Sequence, residues 1–168
     1  MTLFVFVRSL SLWLHLVSVT AWVGGILFFL SVFGPAVHAL PAASGIQALD
    51  KGRRRFQSLS WIAIHLALFT GIVNFVLRGI AAGWAFDPAY NWTLAVKLFL
   101  FLAMLFHHSL QAWKYAPKLA AFIAQTSADA ESWPQPLLFH WKKWFVLLKI
   151  NATLGPIVLL LGLGLSRS

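Results

Sequence analysis

Four apolar stretches, each long enough to cross a lipid bilayer, constrain the fold of this chain more than any other feature. They cover residues 10–33, 59–77, 93–113 and 144–165. A helix of about 20 apolar residues spans the hydrocarbon core of a membrane. Backbone polar groups find no water in that core, so a spanning segment of this length is helical. We therefore predict an all-α integral membrane protein in which residues 1–168 form one four-helix bundle.

The composition agrees with a membrane protein and excludes several other classes. Apolar residues make up 60% of the chain and charged residues 10%, whereas a soluble domain is about half apolar and a quarter charged. Cysteine is absent, which excludes disulfides, iron–sulfur clusters and thiolate metal sites. The net charge is +9, but the basic residues stand between the apolar stretches. This placement argues against nucleic acid as a partner and for the lipid bilayer.

The distribution of basic residues predicts the orientation of the bundle. The first and third connections hold Lys51, Arg53, Arg54, Arg55, Lys114, Lys118, Lys142 and Lys143, and the opposite side holds Arg8, Arg78 and Arg167. Lysine and arginine accumulate in cytoplasmic loops. We expect loops 1 and 3 in the cytoplasm, both termini on the outer side, and a bacterial inner (plasma) membrane as the location. The first stretch is too long for the apolar region of a signal peptide, so we expect an uncleaved helix.

Three histidines inside the predicted helices are the first candidates for chemistry: His15, His65 and His108. An ionisable side chain at membrane depth is costly without a partner and marks a functional site. Imidazole is also a common ligand of haem iron and other metals. Depth along the helices sorts the candidates into an outer pair, His15 with Lys97, and an inner pair, His65 with His108.

Helical phase favours His108 over its neighbour as the inward residue. Lys97, Phe101, Met104 and His108 recur at intervals of four, three and four residues, which places them on one stripe. His107 is rotated by about 100° from His108, so we expect it to face a neighbouring helix or the loop.

Tryptophans share faces with two of the candidate histidines. Trp22 follows His15 by seven residues, and Trp61 precedes His65 by four.

Simpler interpretations remain open for all of these residues. A membrane histidine can serve only to hydrogen-bond two helices, Lys97 can extend to the headgroups, and Trp22 can simply pack.

The first helix resembles that of the copper resistance D family of membrane proteins. The shared motif is His15 followed by Trp22-Val23-Gly24-Gly25. Further similar positions are Arg54-Arg55-Phe56, Thr70-Gly71, Lys97-Leu98 and Ala116-Pro117. The resemblance covers most of the chain and implies copper transport or tolerance.

The chain is also similar to the four-helix protoporphyrinogen oxidase family of haem biosynthesis. The matching residues are His15, Trp22, Gly25, Lys97 and His108. This resemblance implies that the four helices hold a b-type haem or a porphyrin. The chain departs from that family at Ser31 and Val32, where an arginine is expected, and it adds His65. These departures argue against porphyrinogen oxidation and for an extra ligand.

The leading hypothesis is a small b-type cytochrome that transfers electrons within or across the membrane, acting as an oxidoreductase or an electron-transfer subunit. His65 and His108 would be the axial ligands of haem b, with Trp61 against the macrocycle. His15 and Lys97 would form an outer site for a quinone or for haem propionates, and His15 could also ligate a second haem.

Two alternatives stay open. One is a copper transport or tolerance protein, although the chain lacks the sulfur ligands that Cu(I) prefers. The other is a structural or assembly subunit of a larger membrane complex. Across these hypotheses the expected partners are a quinone or a redox protein, further copies of the chain, or a larger complex that contains it.

Overall fold

The computed structural model of this protein describes residues 3–127 and 130–167, and within them the regular structure is entirely helical. The α-helices are α1 (Leu3–Phe28), α2 (Gly34–His38), α3 (Ala42–Ala81), α4 (Pro88–Ser109), α5 (Ala116–Ala124) and α6 (Gln135–Arg167). Two π-helical turns, Phe29–Phe33 and Leu110–Tyr115, join α1 to α2 and α4 to α5.

Four continuous helical segments are long and apolar enough to span a membrane. They are Leu3–His38, Ala42–Ala81, Pro88–Ala124 and Gln135–Leu165. The prediction of an integral membrane protein with four long apolar helices is therefore confirmed.

The helices extend well beyond the predicted apolar stretches. A membrane span needs about 20 residues, whereas α3 alone has 40, so its polar turns continue the helix past the hydrocarbon core. Pro35 does not end the first segment because it stands in the first turn of α2, where a proline is tolerated. Pro156 likewise lies inside α6 without interrupting it. Much of the predicted third loop is helical, because α5 covers Ala116–Ala124 and α6 begins at Gln135.

The helices are arranged in the order α3–α1–α6–α4. The closest packing is between α1 and α3 and between α4 and α6, and α1 also contacts α6. In the described part of the chain, α3 and α4 meet chiefly through large side chains. The Trp61 ring lies 5.0 Å from that of His108 and stacks at 5.8 Å on Trp113. We call this contact the α3–α4 seam.

An arginine joins three helices at the terminal end of the bundle, which lies opposite the basic end. The terminal end holds Leu3, Leu165 and the turn at residues 82–87. There Arg78 donates a hydrogen bond to the carbonyl of Leu165 at 2.8 Å and lies 4.4 Å over the ring of Tyr90. This side chain therefore ties α3, α4 and α6 together.

The opposite, basic end contains a buried ion pair. The Asp50 carboxylate accepts from Arg53 at 2.6 Å and from Arg54 at 2.7 Å. Arg53 is only 3% exposed and also donates to Gln57 at 3.3 Å. A buried charge of this kind requires its partner.

The packed core lies in the basic half of the bundle and is rich in aromatic rings. Phe29 lies 5.3 Å from Phe56 and 5.4 Å from Trp144, ring centre to ring centre. Close approach of α1 to α6 depends on Gly155, since a β-carbon there would lie 2.8 Å from Val23. This core forms one wall of the first candidate site.

Candidate functional site

The first candidate site surrounds His108, and we call it the His108 site. His108 belongs to the last turn of α4 and is 2% exposed. Trp22 of α1 approaches its ring edge-on at 6.1 Å and Trp61 of α3 at 5.0 Å. Three helices thus converge on one imidazole at the α3–α4 seam.

Buried polar atoms at the His108 site lack hydrogen-bond partners within the described residues. Gln111, one turn further along, donates to the carbonyl of Trp144 at 3.0 Å, and its buried Oε1 has no hydrogen-bond partner within the described residues. Nε2 of His108 is buried and has no hydrogen-bond partner in the described part of the chain. Buried polar atoms are nearly always satisfied by protein, water or a ligand, so this nitrogen is a candidate ligand atom.

His65 lies near the His108 site but not inside it. Its side chain is exposed on the outer surface of α3, and its Nδ1 lies 2.7 Å from the carbonyl of Trp61 in its own helix. The ring of Trp61 lies 5.7 Å from His65 and 5.0 Å from His108. The structure therefore brings both histidines to one indole, with only His108 in the interior.

His107 faces α6. Its Nδ1 lies 3.3 Å from Oδ1 of Asn151, whose amide group donates to the carbonyl of Met104 at 3.1 Å. Because Oδ1 accepts, Nδ1 of His107 carries the proton. This histidine links α4 to α6.

The second candidate site surrounds His15, and we call it the His15 site. Nδ1 of His15 lies 2.9 Å from the carbonyl of Ala67 and 3.1 Å from the hydroxyl of Thr70. Gly71 leaves room for the ring, since a β-carbon there would lie 3.3 Å from Cε1 of His15. These contacts hold the imidazole of α1 against α3.

Lys97 lies at the same height as His15. Trp22 contacts Phe101 at 6.0 Å as well as His108, so it is level with the Met104 turn. Lys97 precedes Met104 by seven residues, and His15 precedes Trp22 by seven. The two helices run in the same direction, so Lys97 and His15 lie at similar depth.

Two further residues concern the level of Lys97 and Thr70. A β-carbon on Gly162 of α6 would lie 3.2 Å from Nζ of Lys97, so this glycine makes space for the ammonium group. Asn74, one turn beyond Thr70, has a buried Oδ1 without a hydrogen-bond partner among residues 3–127 and 130–167. Residues of α1 and α3 thus form the His15 site, and α4 and α6 meet at Lys97 and Gly162.

The chemistry available to the two sites differs. The His108 site offers a buried nitrogen ligand among aromatic rings, which suits a flat macrocycle with a central metal. The His15 site offers an ammonium donor and an imidazole, which suit a polar head group. No group of three histidines, acids or cysteines able to hold a bare metal ion is found within the described residues.

Sequence reasoning missed two amides with buried, unpartnered oxygens in the described chain, those of Gln111 and Asn74. Gln111 is three residues from His108, and Asn74 is four residues from Thr70. Helical spacing would have placed each amide beside its neighbour. Polar residues at those intervals from a candidate were the available signal.

Comparison with known proteins gives one relevant relative. An uncharacterized protein of Aquifex aeolicus (strain VF5) is 31% identical to the chain over 114 residues, which are 67% of this chain and 75% of that protein. No family model matches the chain. No solved structure matches it either. The resemblances to the copper resistance D and protoporphyrinogen oxidase families therefore stay predictions.

Proposed function

The chain belongs to the same family as the uncharacterized Aquifex aeolicus protein, and we propose that it is a small membrane b-type cytochrome with haem held at the His108 site. The proposal includes electron transfer within or across a bacterial inner membrane. It also includes a basic end in the cytoplasm, because lysine and arginine favour that side.

The observation that carries the proposal is the state of His108 Nε2. This nitrogen is buried, lacks a partner in the described chain and stands among the rings of Trp22 and Trp61. Haem ligation uses an imidazole nitrogen whose other ring nitrogen is held by a hydrogen bond. We assign this supporting role to Gln111, which stands three residues beyond His108 and has a buried Oε1 without a hydrogen-bond partner in the described chain.

His65 is the candidate for the second axial ligand. Its contact with the Trp61 carbonyl at 2.7 Å suits donation from Nδ1, which leaves Nε2 for a metal. Because the ring is exposed on α3, haem would sit at the α3–α4 seam and not in the centre of the bundle.

The residues around the site have distinct roles in this function. Two imidazole ligands make haem iron suited to one-electron transfer. Trp22 and Trp61 exclude water from the metal side of His108. Gln111 would orient the imidazole in the loaded site, and its hydrogen bond to the Trp144 carbonyl holds the Gln111 side chain in place.

Visible absorption of the detergent-purified protein tests the proposal directly. Protein produced with haem available should show a sharp α band on reduction with dithionite, together with a shifted Soret band. Colourless protein would overturn the haem proposal. Copper binding, the alternative that the resemblance to the copper resistance D family implies, would then be the next assay.

Three single variants assign the ligands. His108→Ala should lose haem, and His65→Ala should lose haem or convert it from low spin to high spin, since one axial ligand is removed. His107→Ala is the matched control, because that adjacent histidine bonds to Asn151, and it should retain the wild-type spectrum. An unchanged spectrum for His108→Ala would exclude the assignment.

A further inference from the structure

One exposed face of α3 carries two cations followed by apolar side chains. Lys51, Arg55 and Ser58 stand at intervals of four and three residues, and Ile62 and Phe69 continue the same stripe. All five side chains are exposed. Because α3 is continuous over these residues, the stripe leads from the basic end into the apolar stretch of residues 59–77. We call it the Lys51 face.

The two cations of the Lys51 face lack the counter-charge that their neighbours have. The Asp50 carboxylate accepts from Arg53 at 2.6 Å and from Arg54 at 2.7 Å. Neither Lys51 nor Arg55 forms an ion pair in the part of the chain that the structure describes. Like charges four residues apart on a helix repel each other, so an anion between these two side chains would remove an unfavourable interaction.

The depth of the cations matches the headgroup layer of a bilayer. At 1.5 Å per residue, Arg55 lies about 6 Å and Lys51 about 12 Å before Leu59, where the apolar stretch begins. The headgroup layer adds roughly 5–8 Å on each side of the hydrocarbon core. Helical side chains point toward the N-terminus of their helix, so that of Arg55 extends toward Lys51 and away from the hydrocarbon.

We propose that the Lys51 face binds an anionic phospholipid, with the phosphate between Lys51 and Arg55 and an acyl chain along Ile62 and Phe69. A phosphodiester accepts hydrogen bonds that an ammonium and a guanidinium group donate. Basic residues at a membrane surface attract anionic lipids for this reason. Phosphatidylglycerol fits because its headgroup carries no cation, whereas the choline group of phosphatidylcholine would add a third positive charge to the site.

This inference goes beyond the proposed cytochrome function and does not rest on it. The Lys51 face contains none of the residues assigned to haem ligation, and the test of lipid binding uses no haem. Failure of one proposal therefore leaves the other standing. Lipid binding also does not depend on which side of the membrane the basic end faces.

Native mass spectrometry of the detergent-purified protein tests the lipid selectivity. Dioleoylphosphatidylglycerol and dioleoylphosphatidylcholine are titrated separately, and the fraction of protein with one bound lipid gives each dissociation constant. Phosphatidylglycerol should bind about tenfold more tightly, since each of the two cations favours an anionic lipid. Equal binding of the two lipids would overturn the proposal. Displacement of phosphatidylglycerol by an equal concentration of inorganic phosphate would assign the site to a soluble anion and would also overturn it.

Single variants connect the selectivity to the named residues. Lys51→Gln and Arg55→Gln should each weaken phosphatidylglycerol binding about fivefold and leave phosphatidylcholine binding unchanged. Lys142→Gln is the matched control, because it removes the same charge from an exposed lysine of α6 at the basic end, and it should bind as the wild type does. An equal loss in Lys142→Gln would indicate general attraction by the net charge and would exclude the assignment. Circular dichroism verifies folding, and the comparison of the two lipids on the wild type decides if a variant does not fold.

Discussion

Two aspartates of this chain hold contrasting positions. Asp50 is buried between Arg53 and Arg54 at the basic end, whereas Asp87 is exposed and caps α4 by accepting from the amide of Ala89 at 2.9 Å. Removing one partner of a buried pair leaves an uncompensated charge, but removing an exposed cap loses one hydrogen bond.

Asp50→Ala should therefore be the more damaging substitution. We expect it to lower the free energy of unfolding by about 3–5 kcal/mol, against about 1 kcal/mol for Asp87→Ala. Chemical denaturation in detergent, followed by circular dichroism, measures both. The double variant Asp50→Ala/Arg53→Met should recover part of the loss. Equal effects of the two single variants would contradict a structural role for the pair.

His108 should behave differently from a stabilising core residue. In the haem-free protein its buried Nε2 lacks a partner in the described structure, and such an atom costs about 1–3 kcal/mol. His108→Leu should then leave the thermal unfolding temperature of haem-free protein unchanged or higher. His107→Leu is the comparison, since it breaks a bond to Asn151 and should lower that temperature. A lower temperature for His108→Leu would assign His108 a structural role.

The positions of these residues could be predicted from the sequence only in part. The stripe from Lys97 to His108 indicated the buried member of the histidine pair, because polar residues in a span avoid lipid. The exposure of His65 could not be predicted in this way. Its neighbours Ile62 and Phe69 are themselves exposed apolar residues. Apolar residues face both lipid and protein in a membrane, so hydrophobic periodicity loses its meaning there.

At the scale of helices, packing depends on small residues where two segments cross. Gly155 of α6 lies against Val23 of α1, and a β-carbon on it would come within 2.8 Å of that side chain. Gly164 belongs to the same helix, but a β-carbon there would meet no atom within 4 Å. These two glycines form a matched pair.

Gly155→Ala should separate α1 from α6 and destabilise the bundle by about 1–3 kcal/mol. Gly164→Ala should be neutral or stabilising by up to about 1 kcal/mol, since alanine favours a helix. Thermal unfolding of the two variants in one detergent provides the comparison. A larger loss for Gly164→Ala would contradict the packing described here.

The existence of the helices followed from apolar length, but their ends did not. The hydrocarbon core fixes about 20 residues of each helix. The remaining turns of α3 are stabilised by polar contacts such as the ion pair of Asp50 with Arg53. An apolar-length rule does not predict such contacts. The continuation of α4 into α5 passes through the π-helical turn Leu110–Tyr115, and no periodicity in the sequence marks this turn.

At the scale of the whole molecule, the absence of cysteine permits a direct test of orientation. Ala85 lies in the exposed turn of the terminal end, and Glu131 is exposed at the basic end. In spheroplasts, a membrane-impermeant maleimide should label Ala85→Cys and not Glu131→Cys. In inside-out vesicles the pattern should reverse. The opposite pattern would place the basic end outside.

The count of four spans could be predicted from the sequence, but the pairing of helices could not. Apolar surface gains nothing by leaving lipid for another apolar surface, so packing is decided by shape and by individual hydrogen bonds. The α1–α3 and α4–α6 pairs depend on such details, including His15 with Ala67 and Asn151 with Met104.

The α3–α4 seam determines which ligand concentration governs binding to this protein, that in the lipid or that in the water. Because side chains such as Trp61 and Trp113 fill the gap between those helices in place of close backbone packing, molecules dissolved in the bilayer would reach the proposed His108 site by displacing side chains at this face. Their chemical activity is set by mole fraction in the lipid, and the surrounding water matters only through partition. Doubling the lipid at fixed total ligand should therefore halve the occupancy of a weakly filled site.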